Sequence, residues 1–174
     1  MTQVAADDPH PAMEVVLARL ARLRDQLDQL TREVRDPLAI RATAVALLHH
    51  KVPSVSWTGF YMRRGDELIV DAYQGPVACL VLPAHKGVCW AAMDRGQSLV
   101  VPDVNEFPGH IPCDSRTRSE LVVPLFGTDG EPVGVLDIDS TRRARFGEAE
   151  RAGYELVARY LEERGALGTS GGAP

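Results

Sequence analysis

Long apolar runs are missing from this sequence. No stretch approaches the ~20 consecutive apolar residues that a helix needs to span a bilayer. The N-terminal residues MTQVAADDPHPAM have neither the basic start nor the apolar stretch of a secretory signal. We therefore expect no membrane partner and a cytoplasmic location, where thiols stay reduced.

Dense clusters of basic residues are also missing. The chain has 19 Lys and Arg against 24 Asp and Glu, a net charge of -5, and the two signs are interspersed. Its longest basic island, Arg142–Arg145, is flanked by acids and is typical of a solvated loop. Because no basic cluster is dense enough to follow a phosphate backbone, we expect no nucleic-acid partner.

Cysteine is scarce: there are three, Cys79, Cys89 and Cys113. An odd number in a reducing compartment is a poor framework for structural disulfides. The three lack the close C-x-x-C spacing of a zinc site, so we expect no metal. Two interpretations stay open: the cysteines are small core residues, or they carry redox or nucleophilic chemistry.

The length of 174 residues suits one domain with a real core. We expect a disordered tail over residues 1–12 and a flexible tail over residues 165–174. Residues 13–35 are predicted to form an amphipathic helix with heptad-like spacing. The heptad positions are Val16, Leu20, Leu23, Leu27, Leu30 and Val34. This helix packs either on its own domain or on a second copy in a homodimer, and the pattern does not decide between them.

The order of the remaining elements indicates an α+β fold. Helices are predicted at residues 37–50, 87–95 and 147–163, and strands at 54–61, 67–73, 98–101, 120–126 and 132–140. We expect one domain over residues 36–164, built as an antiparallel sheet with helices gathered on one side and the cysteine segments over the other face. The irregular stretch at 102–117 has the length of a functional loop.

Acidic residues alternate with apolar ones along the last predicted strand. Asp137 and Asp139 share one face of that strand, while Leu136 and Ile138 share the other. If the acidic face is buried, repulsion and desolvation raise at least one pKa, so that one carboxyl can keep its proton near neutral pH. The alternative is that both acids face solvent. Glu120 begins the paired strand, so the three carboxylates can converge.

Two aromatic residues, Trp57 and Tyr61, lie four apart on the first predicted strand and therefore on one of its faces. Isolated aromatics on a strand are most often ordinary sheet core. Rings on such a face can also form an apolar wall for a sulfur-bearing ligand.

Five short motifs occur together in this chain. They are Trp57–Tyr61 (WTGFY), Gly87–Cys89 (GVC), Gly109–Asp114 (GHIPCD), Ser119–Pro124 (SELVVP) and Gly134–Ser140 (GVLDIDS). In this order and spacing they resemble the GAF-domain free methionine-R-sulfoxide reductases. The resemblance covers most of the chain, and general GAF sensor domains seldom share the whole set.

The resemblance implies a thioredoxin-dependent enzyme that reduces free L-methionine-(R)-S-oxide to methionine with no bound cofactor. It implies that Cys113 is the nucleophile, which becomes a sulfenic acid, and that Cys79 resolves it into a disulfide. Thioredoxin, and ultimately NADPH, then restores the thiols. Cys89 is implied as a third and less certain member of this set.

The same resemblance assigns the substrate-binding residues. Trp57 and Tyr61 would form the wall for the substrate side chain. The acids Glu120, Asp137 and Asp139 would bind the amino group and polarise or protonate the sulfoxide oxygen. One departure from the family lies beside these motifs: Trp90 follows Gly-Val-Cys where a small residue is usual, and its indole could reshape the pocket wall or shield Cys89.

Two other functions stay open at this point. A GAF sensor module would bind a small ligand without turning it over, although the chain has no recognisable output domain. A structural dimer module built on the helix at 13–35 would leave the three cysteines and three acids without a role.

Overall fold

The computed structural model describes residues 12–168. The disordered tail predicted for residues 1–12 lies outside this range except for Ala12, and so does the part of the C-terminal tail beyond residue 168. Four α-helices are described: α1 (Met13–Thr31), α2 (Pro37–Lys51), α3 (Gly87–Arg95) and α4 (Glu148–Glu163). None of these helices is long and apolar enough to cross a membrane.

Six strands form one antiparallel sheet. They are β1 (Trp57–Arg64), β2 (Glu67–Gln74), β3 (Val81–Pro83), β4 (Leu99–Val101), β5 (Ser119–Phe126) and β6 (Pro132–Ser140). Their order across the sheet is β3-β2-β1-β6-β5-β4, so the two predicted hairpins, β1–β2 and β5–β6, sit side by side at its centre. The α+β fold expected from the sequence is confirmed. β3 was not predicted, because three residues at a sheet edge carry no readable alternation.

The two faces of the sheet have different covers. Helices α1, α2 and α4 pack on one face around a large apolar core that includes Leu136 and Ile138 of β6. Helix α3 and the long loops cover the other face around a smaller cluster that includes Trp57, Tyr61 and Cys89. The alternation along β6 therefore separates its apolar core residues from its acids, because successive side chains point to opposite faces.

Helix α1 uses its apolar side within its own domain. Val16, Leu20, Leu23 and Leu27 are buried, and the helix packs against α4. Leu30, the next heptad position, is 56% exposed. Val34 is partly buried against the same core, although α1 ends at Thr31 and not at residue 35 as predicted. Internal packing thus accounts for five of the six heptad positions, and the heptad spacing no longer requires a second copy of the chain.

The contact between α1 and α4 depends on a glycine, which gives a first prediction. A Cβ on Gly153 of α4 would lie 2.2 Å from Cδ1 and 2.9 Å from Cβ of Leu20. We therefore expect Gly153→Val to lower the free energy of unfolding by about 2 kcal/mol or more, through overpacking. Urea unfolding measures it, with Ala152→Val as a control for the helix penalty of a β-branched residue. Equal losses in both variants would show that α1 does not press on this position.

The residues that directly follow α4 differ from the flexible tail predicted for residues 165–174. Ala166 and Leu167 are buried in the core on the helical face. The Arg41 guanidinium holds this segment, since it donates to the backbone oxygen of Ala166 at 2.5 Å and pairs with Asp71. A short apolar pair after a helix was too weak a signal to predict this docking.

Candidate active site

Strand register brings the predicted acids together. β1, β6 and β5 are neighbours in the sheet, and Trp57, Asp139 and Glu120 lie opposite one another in a single row across them. The next row on the same face of the sheet carries Asp137 between Gly59 and Val122. Because these rows face α3, the three carboxyl groups converge over the smaller core and not in solvent.

The acids enclose a cysteine from the helix above them. The Cys89 thiol points from α3 at two carboxylates, with Sγ 3.6 Å from Oδ2 of Asp137 and 3.9 Å from Oε1 of Glu120. Cys89, Glu120 and Asp137 are all buried, at 4%, 6% and 6% exposure. None of the ion pairs in the described part of the chain involves these acids, so no basic side chain neutralises the group.

Burial decides the protonation of this group. It raises the pKa of Asp137 to about 7. It also raises the pKa of Glu120 and of Asp139 well above the usual values of these carboxyls, with added repulsion from Asp137. Burial, together with the charges of Asp137 and Glu120, also raises the pKa of the Cys89 thiol. Burial therefore favours protonated carboxyl groups and a neutral thiol in this site, an arrangement suited to donating protons.

The other two cysteines form a disulfide at the rim of this site. Cys79 and Cys113 are bonded, with their Cα atoms 5.3 Å apart. Cys113 lines the cavity, together with Glu120, Asp137, Asp139 and Cys89. A charged imidazole beside Cys113 is not favoured, because burial lowers the pKa of His110.

Aromatic side chains form one wall of the cavity. The indole of Trp57 is stacked between Tyr61 and Tyr73, with centroid distances of 5.7 and 5.4 Å. Gly59 permits this arrangement, since a Cβ there would lie 2.4 Å from the indole and 2.5 Å from Cβ of Tyr73. Sequence reasoning named Trp57 and Tyr61 but missed Tyr73 and Gly59, whose roles depend on packing across two strands.

Tyr61 has a second contact that sequence reasoning missed. Its hydroxyl donates to the backbone oxygen of Cys79 at 2.9 Å, which ties the segment after β2 to the sheet. The residue type gave no sign of this bond. It places the disulfide loop over the cavity.

Trp90, the departure from the family pattern, lies outside the cavity. Its Nε1 donates to the backbone oxygen of Leu82 at 3.1 Å, and its ring packs on His85 at 5.1 Å between centroids. The indole therefore anchors β3 and the turn before α3. It is not among the residues that line the cavity beside Cys89.

Two buried polar atoms of the cavity wall lack a partner within the described residues. They are Oδ1 of Asp137 and Nε1 of Trp57. A buried polar atom without a hydrogen bond costs about 1–3 kcal/mol, so such atoms commonly pair with a bound molecule. One acceptor and one donor are thus ready for a polar ligand.

Fold and site together define a class of protein. The antiparallel sheet with a cavity over one face is the architecture of a GAF domain, and residues 22–163 match the GAF domain family. The free methionine-R-sulfoxide reductase of Escherichia coli strain K12 is 39% identical over 126 residues, covering 72% of this chain and 76% of that protein. The Saccharomyces cerevisiae enzyme of the same name is 37% identical over 129 residues, covering 70% and 72%.

A solved structure agrees with these relatives. The X-ray structure of free methionine-R-sulfoxide reductase from Neisseria meningitidis in complex with its substrate has a TM-score of 0.81 and 36% identity, and covers 94% of both chains. The chain therefore belongs to the free methionine-R-sulfoxide reductase family of GAF-domain enzymes, as the motifs indicated.

Proposed function

We propose that this protein reduces free L-methionine-(R)-S-oxide to L-methionine with Cys113 as the nucleophile. The observation that carries the proposal is the juxtaposition in one cavity of Cys113 with a three-carboxyl cluster, in which Glu120 and Asp137 are buried and Asp139 is half-buried. Relatives with 37–39% identity bear the name of this activity, and a neighbour of 36% identity has been solved with its substrate.

The cavity suits the two ends of this substrate. The substrate's ammonium group can donate a hydrogen bond to Oδ1 of Asp137, which is the unpartnered acceptor of the cavity. The methyl and methylene groups would lie against the indole of Trp57, which Tyr61 and Tyr73 hold in place. Aromatic rings contact sulfur-bearing chains favourably.

The chemistry follows from the protonation of the site. The Cys113 thiolate attacks the sulfoxide sulfur while a carboxyl group protonates the sulfoxide oxygen. The oxygen passes to Cys113, which becomes a sulfenic acid, and methionine is released. The Cys79 thiol then attacks the sulfenic acid, forming the Cys79–Cys113 disulfide and water. The Cys79–Cys113 disulfide in the structure has the pairing that this last step would produce, which supports the proposal.

The division of roles between the cysteines has a structural basis. Both Cys113 and Cys89 line the cavity, but burial and the neighbouring carboxylates raise the pKa of Cys89 and so suppress its thiolate. The Cys79 backbone is held at the rim by Tyr61, within bonding distance of Cys113. These placements favour Cys113 as the nucleophile and Cys79 as the resolving cysteine.

Recycling requires an external dithiol, which we propose is thioredoxin, with electrons ultimately from NADPH and no bound cofactor. Thioredoxin must approach the disulfide from solvent. Val77 and Leu80, on either side of Cys79, are 79% and 64% exposed and give it an apolar contact beside that sulfur. This thiol cycle would operate in a reducing compartment, which is consistent with the expected cytoplasmic location.

Turnover of free methionine-R-sulfoxide with thioredoxin, thioredoxin reductase and NADPH tests the proposal. Oxidation of NADPH should depend on both the sulfoxide and this protein, and should produce stoichiometric methionine. A GAF sensor module predicts saturable binding of a small ligand with no methionine formed. Binding without turnover would therefore replace the proposed function with the sensor.

Substrate selectivity gives a second prediction. Glu120, Asp137 and Asp139 line the cavity, and the first two are buried. A site built from buried polar groups rejects analogues that leave such groups unpaired. We expect kcat/KM for the free R epimer to exceed that for the S epimer, and for sulfoxide within a peptide, by about 10² or more. Methionine release from each compound measures it. Comparable rates on the three compounds would contradict the proposed binding mode.

A further inference from the structure

The cluster at the floor of the cavity contains one soft donor and two hard donors. Cys89 Sγ, a Glu120 oxygen and an Asp137 oxygen all lie within 4.8 Å of one another, and all three residues are buried. The three arise from different elements, α3, β5 and β6, whose packing fixes their separation. This donor set differs from the three cysteines, whose spacing argued against zinc.

The separations match those of a tetrahedral zinc ion. With a Zn–S distance of ~2.3 Å and a Zn–O distance of ~2.0 Å, tetrahedral geometry places sulfur and oxygen about 3.5 Å apart. The Cys89 sulfur lies 3.6 Å from Asp137 Oδ2 and 3.9 Å from Glu120 Oε1. Both sulfur–oxygen separations therefore lie within tenths of an ångström of the tetrahedral value, and the three donor atoms all lie within 4.8 Å of one another.

An independent observation also points to a ligand at this place. Oδ1 of Asp137 is buried and has no hydrogen-bond partner in the described residues, and the residue lines the cavity. When ionised, the three donors carry three negative charges that no ion pair of the described chain compensates. A divalent cation supplies the missing positive charge, and the mixed sulfur and oxygen set favours zinc over magnesium or calcium.

We propose that Cys89, Glu120 and Asp137 bind a thiophilic divalent cation of the zinc class, which blocks the substrate site. The ion replaces the Cys89 thiol proton and the carboxyl protons, all of which leave to solvent, and no electron is transferred. All three residues line the cavity, so an ion bound to them would lie where the substrate is proposed to bind. The binding site rests on these side chains alone, whereas competition with methionine-R-sulfoxide rests on the proposed function.

Cobalt titration of the oxidised protein tests this site. With Cys79 and Cys113 in their disulfide, Cys89 is the one free thiol of the chain, so any thiolate-to-cobalt charge-transfer band in the near ultraviolet reports on it. We expect one Co²⁺ per chain with such a band, displaced by Zn²⁺ but not by excess Mg²⁺. Cys89→Ser should remove the band and weaken Zn²⁺ binding in equilibrium dialysis at least about tenfold.

Matched variants keep the test decisive. Glu120→Gln should weaken Zn²⁺ binding but retain the charge-transfer band. The double variant Cys79→Ser/Cys113→Ser should retain both the Zn²⁺ binding and the band of the wild-type protein. Circular dichroism confirms that each variant is folded. Absence of binding to the folded wild-type protein, or an unchanged band in Cys89→Ser, would overturn the site.

Adding free methionine-R-sulfoxide to the oxidised cobalt protein separates the metal site itself from its proposed competition with the substrate. The oxidised protein cannot reduce the sulfoxide, so any change in the band reports on binding alone. Loss of the band is expected if sulfoxide and metal share the cavity. A stable metal site that the sulfoxide does not displace would contradict the blocking role and the proposed substrate position together. It would leave the metal site itself standing.

Discussion

Replacement of Cys113 by serine should abolish methionine formation even in a single turnover. Among the described residues that line the cavity, Cys113 and Cys89 supply the only sulfur atoms, and the raised pKa of Cys89 suppresses its thiolate. A serine hydroxyl cannot accept the sulfoxide oxygen as a stable sulfenic acid. We therefore expect no methionine above background when the reduced protein, freed of reductant, is mixed with substrate.

The matching variant Cys79→Ser should release one equivalent of methionine per chain and then stop. Cys113 would remain as a sulfenic acid, one oxygen atom heavier by intact-protein mass spectrometry, because no partner is present at the rim to form the disulfide. Thioredoxin should not restart turnover, since it requires a disulfide for exchange.

Cys89→Ser completes this series. It should release one equivalent of methionine, and its steady-state rate should fall only if Cys89 relays the disulfide. If Cys113→Ser still gives one equivalent while Cys89→Ser gives none, then Cys89 is the nucleophile and the assignment of Cys113 is wrong. If no variant and no wild-type protein releases methionine, the sensor function is favoured.

Removal of one carboxylate should have the second large effect. Asp139 lies in the ladder between Trp57 and Glu120, beside both the aromatic wall and the acid cluster. We expect Asp139→Asn to lower turnover by about 10² or more, the usual loss when an acid or orienting group is removed. The swap is nearly isosteric, so the thermal unfolding temperature should not fall.

Steady-state assays of Asp139→Asn measure this loss, with Asp94→Asn as the control. Asp94 is an exposed acid that pairs with His85 outside the cavity, so its variant should retain wild-type turnover. Unchanged turnover in Asp139→Asn would show that this carboxylate is not part of the site.

The pH profile gives a further check on the acids. Burial raises the pKa of Asp137 to about 7. An acid that must be protonated to act is lost as pH rises through its pKa, so a profile governed by Asp137 should show turnover falling above about pH 7. Asp137→Asn should abolish that alkaline limb along with most of the activity. If the residual activity of Asp137→Asn still falls above about pH 7, a group other than Asp137 causes the alkaline decline.

Several features of the fold could be predicted because they depend on local rules. Helix α2 begins where Asp36 precedes Pro37, and the Asp36 carboxylate accepts from the backbone of Ala39 at 2.8 Å. The common face of Asp137 and Asp139 followed from strand alternation alone. Both features are set by residues within a few positions of each other, which is why the sequence was sufficient.

The helix at the N-terminus shows where local rules end. Its heptad spacing predicted one apolar face but not what covers that face. Packing against α4 of the same chain and packing against a second copy of the chain both require the same pattern of apolar residues. Gly153, more than a hundred residues away, allows the close approach that α4 makes to Leu20. The burial of Ala166 and Leu167 likewise depends on Arg41, on another helix.

The sequence by itself determined the motifs, the central hairpins and the identity of the acids and cysteines, since these depend on residue type and short-range periodicity. Tertiary structure decided how they meet. Strand register set Glu120 opposite Asp139, and packing of α3 aimed Cys89 at the carboxylates. The pKa values that equip the site for proton transfer arise only there, because desolvation depends on what the whole chain places around each group.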